Sequence, residues 1–115
     1  METRLKLLLF ILLVSSLQAK YKEKYYQTIF CNKLNGIIEY KIKDVRIDCL
    51  TDTYAIESDF AKKWAESIGQ SLYYAHLTGK KPAIHIILKD KKNKHLDKLL
   101  EMADKYDIKV FIDYE

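Results

Sequence analysis

The run that most limits how this chain can fold is "AIHIIL", Ala83 to Leu88. It follows Pro82, and only His85 within it is polar. A strand wetted on one face alternates apolar and polar residues. A run without alternation suits a strand covered on both faces, as in parallel sheets held between helices. The flanking segments supply covers. Ala61 to Leu77 reads as a helix with Ala61, Trp64, Ala65, Ile68, Leu72 and Ala75 on an apolar arc, and Gly79 stops it. Lys94 to Tyr106 reads as another, with Leu96, Leu99, Leu100, Ala103 and Tyr106 on one side. "IKVFIDY", Ile108 to Tyr114, closes the pattern as a strand.

Upstream, Tyr21 to Leu34 carries Tyr21, Tyr25, Tyr26, Ile29, Phe30 and Leu34 at helical spacing. Asn35-Gly36 ends it, with Gly36 expected in the left-handed conformation. Three short strands follow: Ile37 to Lys43, Val45 to Leu50 and Tyr54 to Asp59, separated by turns at Lys43-Asp44 and "TDT". The expected order is α-β-β-β-α-β-α-β, a mixed α/β sheet in which a meander feeds crossovers.

The chain has 115 residues, room for one domain. Its first nineteen have the form of an export signal. Arg4 and Lys6 precede the apolar run Leu7 to Leu17, which is short for a membrane span, and Ala19 offers a cleavage point. The expectation is a signal peptide over 1–19, a single domain over 20–115, and a periplasmic or secreted protein with no stable membrane association after cleavage. Arg4, Lys6 and Glu2 carry a net +1, which leaves +3 of the chain's +4. That mild basicity is compatible with a polyanion partner and does not require one. In an oxidising compartment Cys31 and Cys49 are natural disulfide partners, worth roughly 3 kcal/mol for a loop of this size. Two buried thiols are the other reading.

Strand parity places carboxylates. Successive side chains alternate faces, so Glu57 and Asp59 share one, Asp48 lies opposite Ile47 and Cys49, and Glu39 sits on the polar side of the first strand. Acids from three consecutive strands can therefore meet. Carboxylate oxygens suit Mg²⁺ or Mn²⁺, while an ordinary wet sheet face accounts for the same residues without a metal. On the following helix, Lys63, Ser67, Gln70 and Tyr74 form a narrow stripe beside the apolar arc.

"RID" followed by "ESD", with "QSLYY" on the next helix, resembles the bipartite acidic motif and the Gln-x-x-x-Tyr motif of the PD-(D/E)XK, or restriction-endonuclease-like, nuclease superfamily. Small exported members with paired cysteines are the nearest likeness. The resemblance implies metal-dependent hydrolysis of nucleic-acid phosphodiester bonds, DNA before RNA. It makes Asp48 and Glu57 metal ligands and catalytic residues, with Glu39, Asp59, Gln70 and Tyr74 in support. The family lysine belongs two residues after Glu57, where this chain has Asp59. Either Lys63 replaces it as a catalytic residue, or the protein is a non-catalytic exported binding module on a nuclease-like fold. No phosphate-binding glycine loop, nucleophile elbow or zinc spacing of His76, His85 and His95 is present. His85 reads as a hydrogen-bonded core histidine, and Lys89 to Lys94 as a solvated loop.

Overall fold

The computed structural model describes residues 21–115. The expected export segment, 1–19, lies outside them. Among the described residues no helix is long and apolar enough to cross a membrane. The elements are α1 (Glu23–Lys33), β1 (Ile37–Ile42), β2 (Val45–Leu50), β3 (Tyr54–Phe60), a 3-10 turn (Ala61–Lys63), α2 (Trp64–Thr78), β4 (Lys81–Leu88), α3 (Lys94–Lys105) and β5 (Lys109–Tyr114). The five strands form one mixed sheet in the order β1-β2-β3-β4-β5. The first three are antiparallel, and β4 runs parallel to both β3 and β5. The mixed α/β expectation holds at this level.

The apolar run behaves as its composition requires. Every residue from Ala83 to Leu88 is buried, in a strand with neighbours on both edges. Ile84, Ile86 and Leu88 pack with Leu96, Leu99 and Ala103 of α3, and Trp64, Ile68 and Leu72 of α2 lie against the same cluster. On the other face, Phe30 of α1 stacks on His85 with ring centroids 3.9 Å apart. The sheet is thus sandwiched, with α2 and α3 on one side and α1 on the other.

A Cys31–Cys49 disulfide fastens α1 to β2, its Cα atoms 5.6 Å apart. It also explains the turn that follows α1. The left-handed residue there is Asn35 (φ 55°), not Gly36. Gly36 is needed for room, because a Cβ at this position would lie 2.5 Å from Cys49 Sγ and 2.7 Å from Cys31 Sγ. Gly79 takes the left-handed conformation (φ 71°) at the end of α2, where its N–H caps Ala75 C=O.

Candidate functional site: a buried carboxylate pit

Asp48 sits where two ladders skip a row. The β1–β2 register pairs Ile38 with Cys49 and Tyr40 with Ile47, so Glu39 falls opposite Asp48, yet that pair is not formed. Glu39 has turned to φ 52°. The β2–β3 ladder holds only Cys49 with Ile56 and Leu50 with Ala55, and stops before Asp48 would meet Glu57. Side chains fill the hydrogen bonds at this break. Gln27 Nε2 donates to Asp48 C=O at 3.0 Å, and Ser58 N–H donates to Asp48 Oδ2 at 2.8 Å. Past the break β2 and β3 part, and the first turn of α1 brings in Glu23.

The result is a concentration of acids. One carboxylate oxygen from each of Glu23, Glu57 and Asp59 lies within 4.8 Å of the other two. Glu57 is 5% exposed and Asp59 4%. Ser67 of α2 donates to Asp59 Oδ2 at 2.6 Å. Glu57 Oε2 is buried with no hydrogen-bond partner. Its acidic neighbours are acceptors when ionised, so that oxygen is satisfied by a proton on the cluster, by the neighbouring Tyr74 phenol or by a cation.

The titration of the cluster follows from its setting. Burial, then the charges of Asp48 and Asp59, push Glu57 up to about 11, so it holds a proton at neutral pH. Burial also raises Asp48 and Asp59. The Ser58 N–H, and a bond from protonated Glu57, pull Asp48 back. The Ser67 hydroxyl, Glu57 and Lys63 do the same for Asp59. Glu23 is raised to about 7 by burial and then by Asp59 and Asp48. The Tyr74 phenol, buried beside Glu57, is pushed up by burial and by these charges.

The residues expected at a site therefore separate. Asp48, Glu57, Asp59 and Tyr74 converge. Glu39 leaves the group and pairs with Lys24 at 3.5 Å. Gln70 is exposed on α2. Lys63 is exposed as well, and no ion pair joins it to a described carboxylate; it acts on Asp59 and Glu23 only through its field. The buried polar face of α2 is Ser67, Ser71 and Tyr74. Glu23 was missed because it lies 34 positions before Glu57 on a helix, beyond the reach of strand parity.

Behind β3 lies a second polar line. Ser58 Oγ and His85 Nδ1 are 2.9 Å apart, and His85 Nε2 and Asp113 Oδ2 are 3.0 Å apart. The order resembles a nucleophile triad, but Ser58 and His85 are both fully buried and Phe30 covers the imidazole. No substrate reaches Ser58. The line is a core polar network, as expected for His85, and it anchors the residue whose N–H holds Asp48.

Similarity to known proteins points elsewhere than to nucleases. The chain is 34% identical over 87 residues to a KilA-N domain-containing protein of Acanthamoeba polyphaga mimivirus. The aligned part is 76% of this chain and 24% of the viral protein, so the chain spans about a quarter of that relative. No family model matches the chain, and no solved structure does. The match overturns membership in the PD-(D/E)XK superfamily, because the relative it identifies is named for a KilA-N domain and not as such a nuclease. Phosphodiester hydrolysis by Asp48, Glu57 and Lys63 rested on that membership and falls with it. The match lends no support to the non-catalytic exported module either. The acidic pair and the Gln-x-x-x-Tyr spacing are a handful of residues, too few to carry a family that the chain as a whole does not support.

Proposed function

We propose that the pit binds a divalent cation of the Mg²⁺ or Mn²⁺ class, and that the domain uses it to hold nucleic-acid phosphate. The observation that carries this is Glu57 Oε2, buried without a partner among Glu23, Asp59 and Asp48. Two oxygens across one ion stand at most roughly 4 Å apart for Mg²⁺ and 5 Å for Ca²⁺. The three carboxylates, within 4.8 Å of one another, need little or no movement to share one. Glu57, Asp59 and Glu23 would be the ligands, with Asp48 alongside. Bound there, the ion would supply open positions for phosphate oxygens and water.

The surroundings favour an anionic partner. Lys22, Lys62, Lys63 and Lys89 are exposed, on the segments leading into or out of the elements that build the pit or of the neighbouring β4. A cation in a carboxylate pit with lysines outside it offers phosphate both a ligand position and a counter-charge. The test is titration calorimetry with MnCl₂, MgCl₂ and CaCl₂ on the full chain, followed by oligonucleotide binding with and without the ion. The expected result is one cation per chain, lost in Glu57→Gln and in Asp59→Asn, with tighter oligonucleotide binding when it is present. No cation binding by the wild type would defeat the reading.

A further inference from the structure

β3, β4 and β5 are parallel, so their carboxyl ends reach the same edge of the sheet. Crevices beyond such ends are where α/β sheets take ligands. A cavity of about 430 Å³ opens there, lined by Phe60, Ile87, Tyr21, Lys22, Lys62, Lys89 and His95, with Glu115 at its wall. The volume falls in the range of small-molecule pockets. None of the pit carboxylates lines it.

Its chemistry is two-part. Phe60, Ile87 and Tyr21 give apolar and aromatic surface. Tyr21 is 61% exposed, and its ring stacks on Tyr25 with centroids 4.0 Å apart and planes 17° off parallel. That pair is a ready platform for a further flat ring. Lys22, Lys62 and Lys89 are exposed, and none forms an ion pair among the described residues. Lysines bury their stems in an apolar wall and keep their ammonium groups at the mouth. His95 adds a buried Nδ1 with no hydrogen-bond partner. An apolar slot with a flat aromatic surface and three exposed lysines at its rim, only partly offset by Glu115, matches a base with its phosphate better than an uncharged apolar ligand.

We infer that this cavity is a nucleotide-binding subsite that seats one unit of a single-stranded nucleic acid, its base against Tyr21 and Phe60 and its phosphate on Lys22, Lys62 and Lys89. The subsite shares its partner class with the reading above but does not depend on the ion. Lys22 adjoins Glu23 and Phe60 adjoins Asp59, so one strand could pass from the subsite to the pit.

The test is fluorescence anisotropy of a labelled thymidine dodecamer with the full chain in EDTA, over a salt series. Tyr21→Ala should weaken binding roughly 5- to 100-fold, the range for losing one base stack. Lys62→Ala and Lys89→Ala should each lower the slope of log affinity against log salt by about 0.7. Tyr73→Ala and Lys33→Ala, at exposed positions outside the cavity, should change neither. Equal effects from the Tyr21 and Tyr73 variants, or from the cavity lysines and Lys33, would overturn the subsite. Wild-type binding that appears only with Mn²⁺ and vanishes in Glu57→Gln would also overturn it, while upholding the ion. Adenosine monophosphate should compete more weakly than the oligonucleotide. Equal competition would overturn the strand assignment and make the ligand a free nucleotide.

Discussion

Replacing Glu57 by glutamine should stabilise the ion-free protein above neutral pH, although it alters a buried residue. The sign follows from the direction of the shift. The Glu57 carboxyl stands at about 11 in the folded chain against an ordinary 4.5. The unfolded chain therefore loses this proton first as pH rises. The stability it contributes is fully present below pH 4.5 and is lost progressively toward pH 11. The ceiling is about 1.4 kcal/mol per pH unit. Between pH 6 and 8 this gives a loss of the order of 2–3 kcal/mol, or about 10–15 °C in melting temperature for a domain of this size. Asp48 and Asp59 are raised too, so they act in the same direction. Glutamine keeps the size and the neutral state and cannot ionise, so Glu57→Gln should flatten the curve and exceed the wild type at pH 8. The assay is circular-dichroism melting in EDTA at pH 5, 6, 7 and 8. With Mn²⁺ present the wild type should regain stability as pH rises, because the ion displaces the proton and binds only the folded state. Glu57→Gln should show no such gain. A wild-type melting temperature that stays level or climbs from pH 6 to 8 in EDTA would refute the reasoning, as would a Glu57→Gln variant less stable than the wild type at pH 8.

Gly36→Ala should cost about 1–3 kcal/mol by overpacking the disulfide. In a Cys31→Ala/Cys49→Ala background, where both sulfurs are gone, denaturant titration should show that cost largely removed. Removing the Cys31–Cys49 bond alone should lower stability by roughly 3 kcal/mol by the same measurement, its loop closing over 18 positions. Ser67→Ala removes the 2.6 Å donor to Asp59 and should cost about 1.5–3 kcal/mol at pH 8, and less at pH 5 where Asp59 gains protons. Burial lowers the His85 pKa from its ordinary 6.5, so the unfolded chain takes up this proton first as pH falls. This group alone withdraws stability below pH 6.5 while the raised carboxyls add it, so on acidification from pH 6.5 to 5 the melting temperature of His85→Gln should rise more than that of the wild type.

Much of the architecture was legible from local pattern alone. The unbroken run Ala83 to Leu88 required cover on both faces, and α2 and α3 on one side with α1 on the other provide it. Period-2 alternation located β1 to β3, helical spacing located the helices, and Gly79 marked the end of α2. The same parity placed Glu57 and Asp59 on one face, and composition made Cys31 and Cys49 partners. These signals are local because they depend on φ/ψ repeats within a few residues. What the sequence could not supply depends on how elements meet. Glu23 reaches the pit because β2 and β3 part beyond Cys49 and Ile56, a break that no strand pattern announces. The nearest donor to Asp59 is Ser67, not Lys63, because the rotation of α2 is set by Trp64, Ile68 and Leu72 packing onto β4. Gly36 is required by two sulfurs brought together from 18 positions apart, so its reason was invisible in the Asn35-Gly36 pair itself. Side-chain direction along one strand is fixed by backbone geometry. Which side chains then share a pit is decided by packing between layers, and that exists only once the chain has folded.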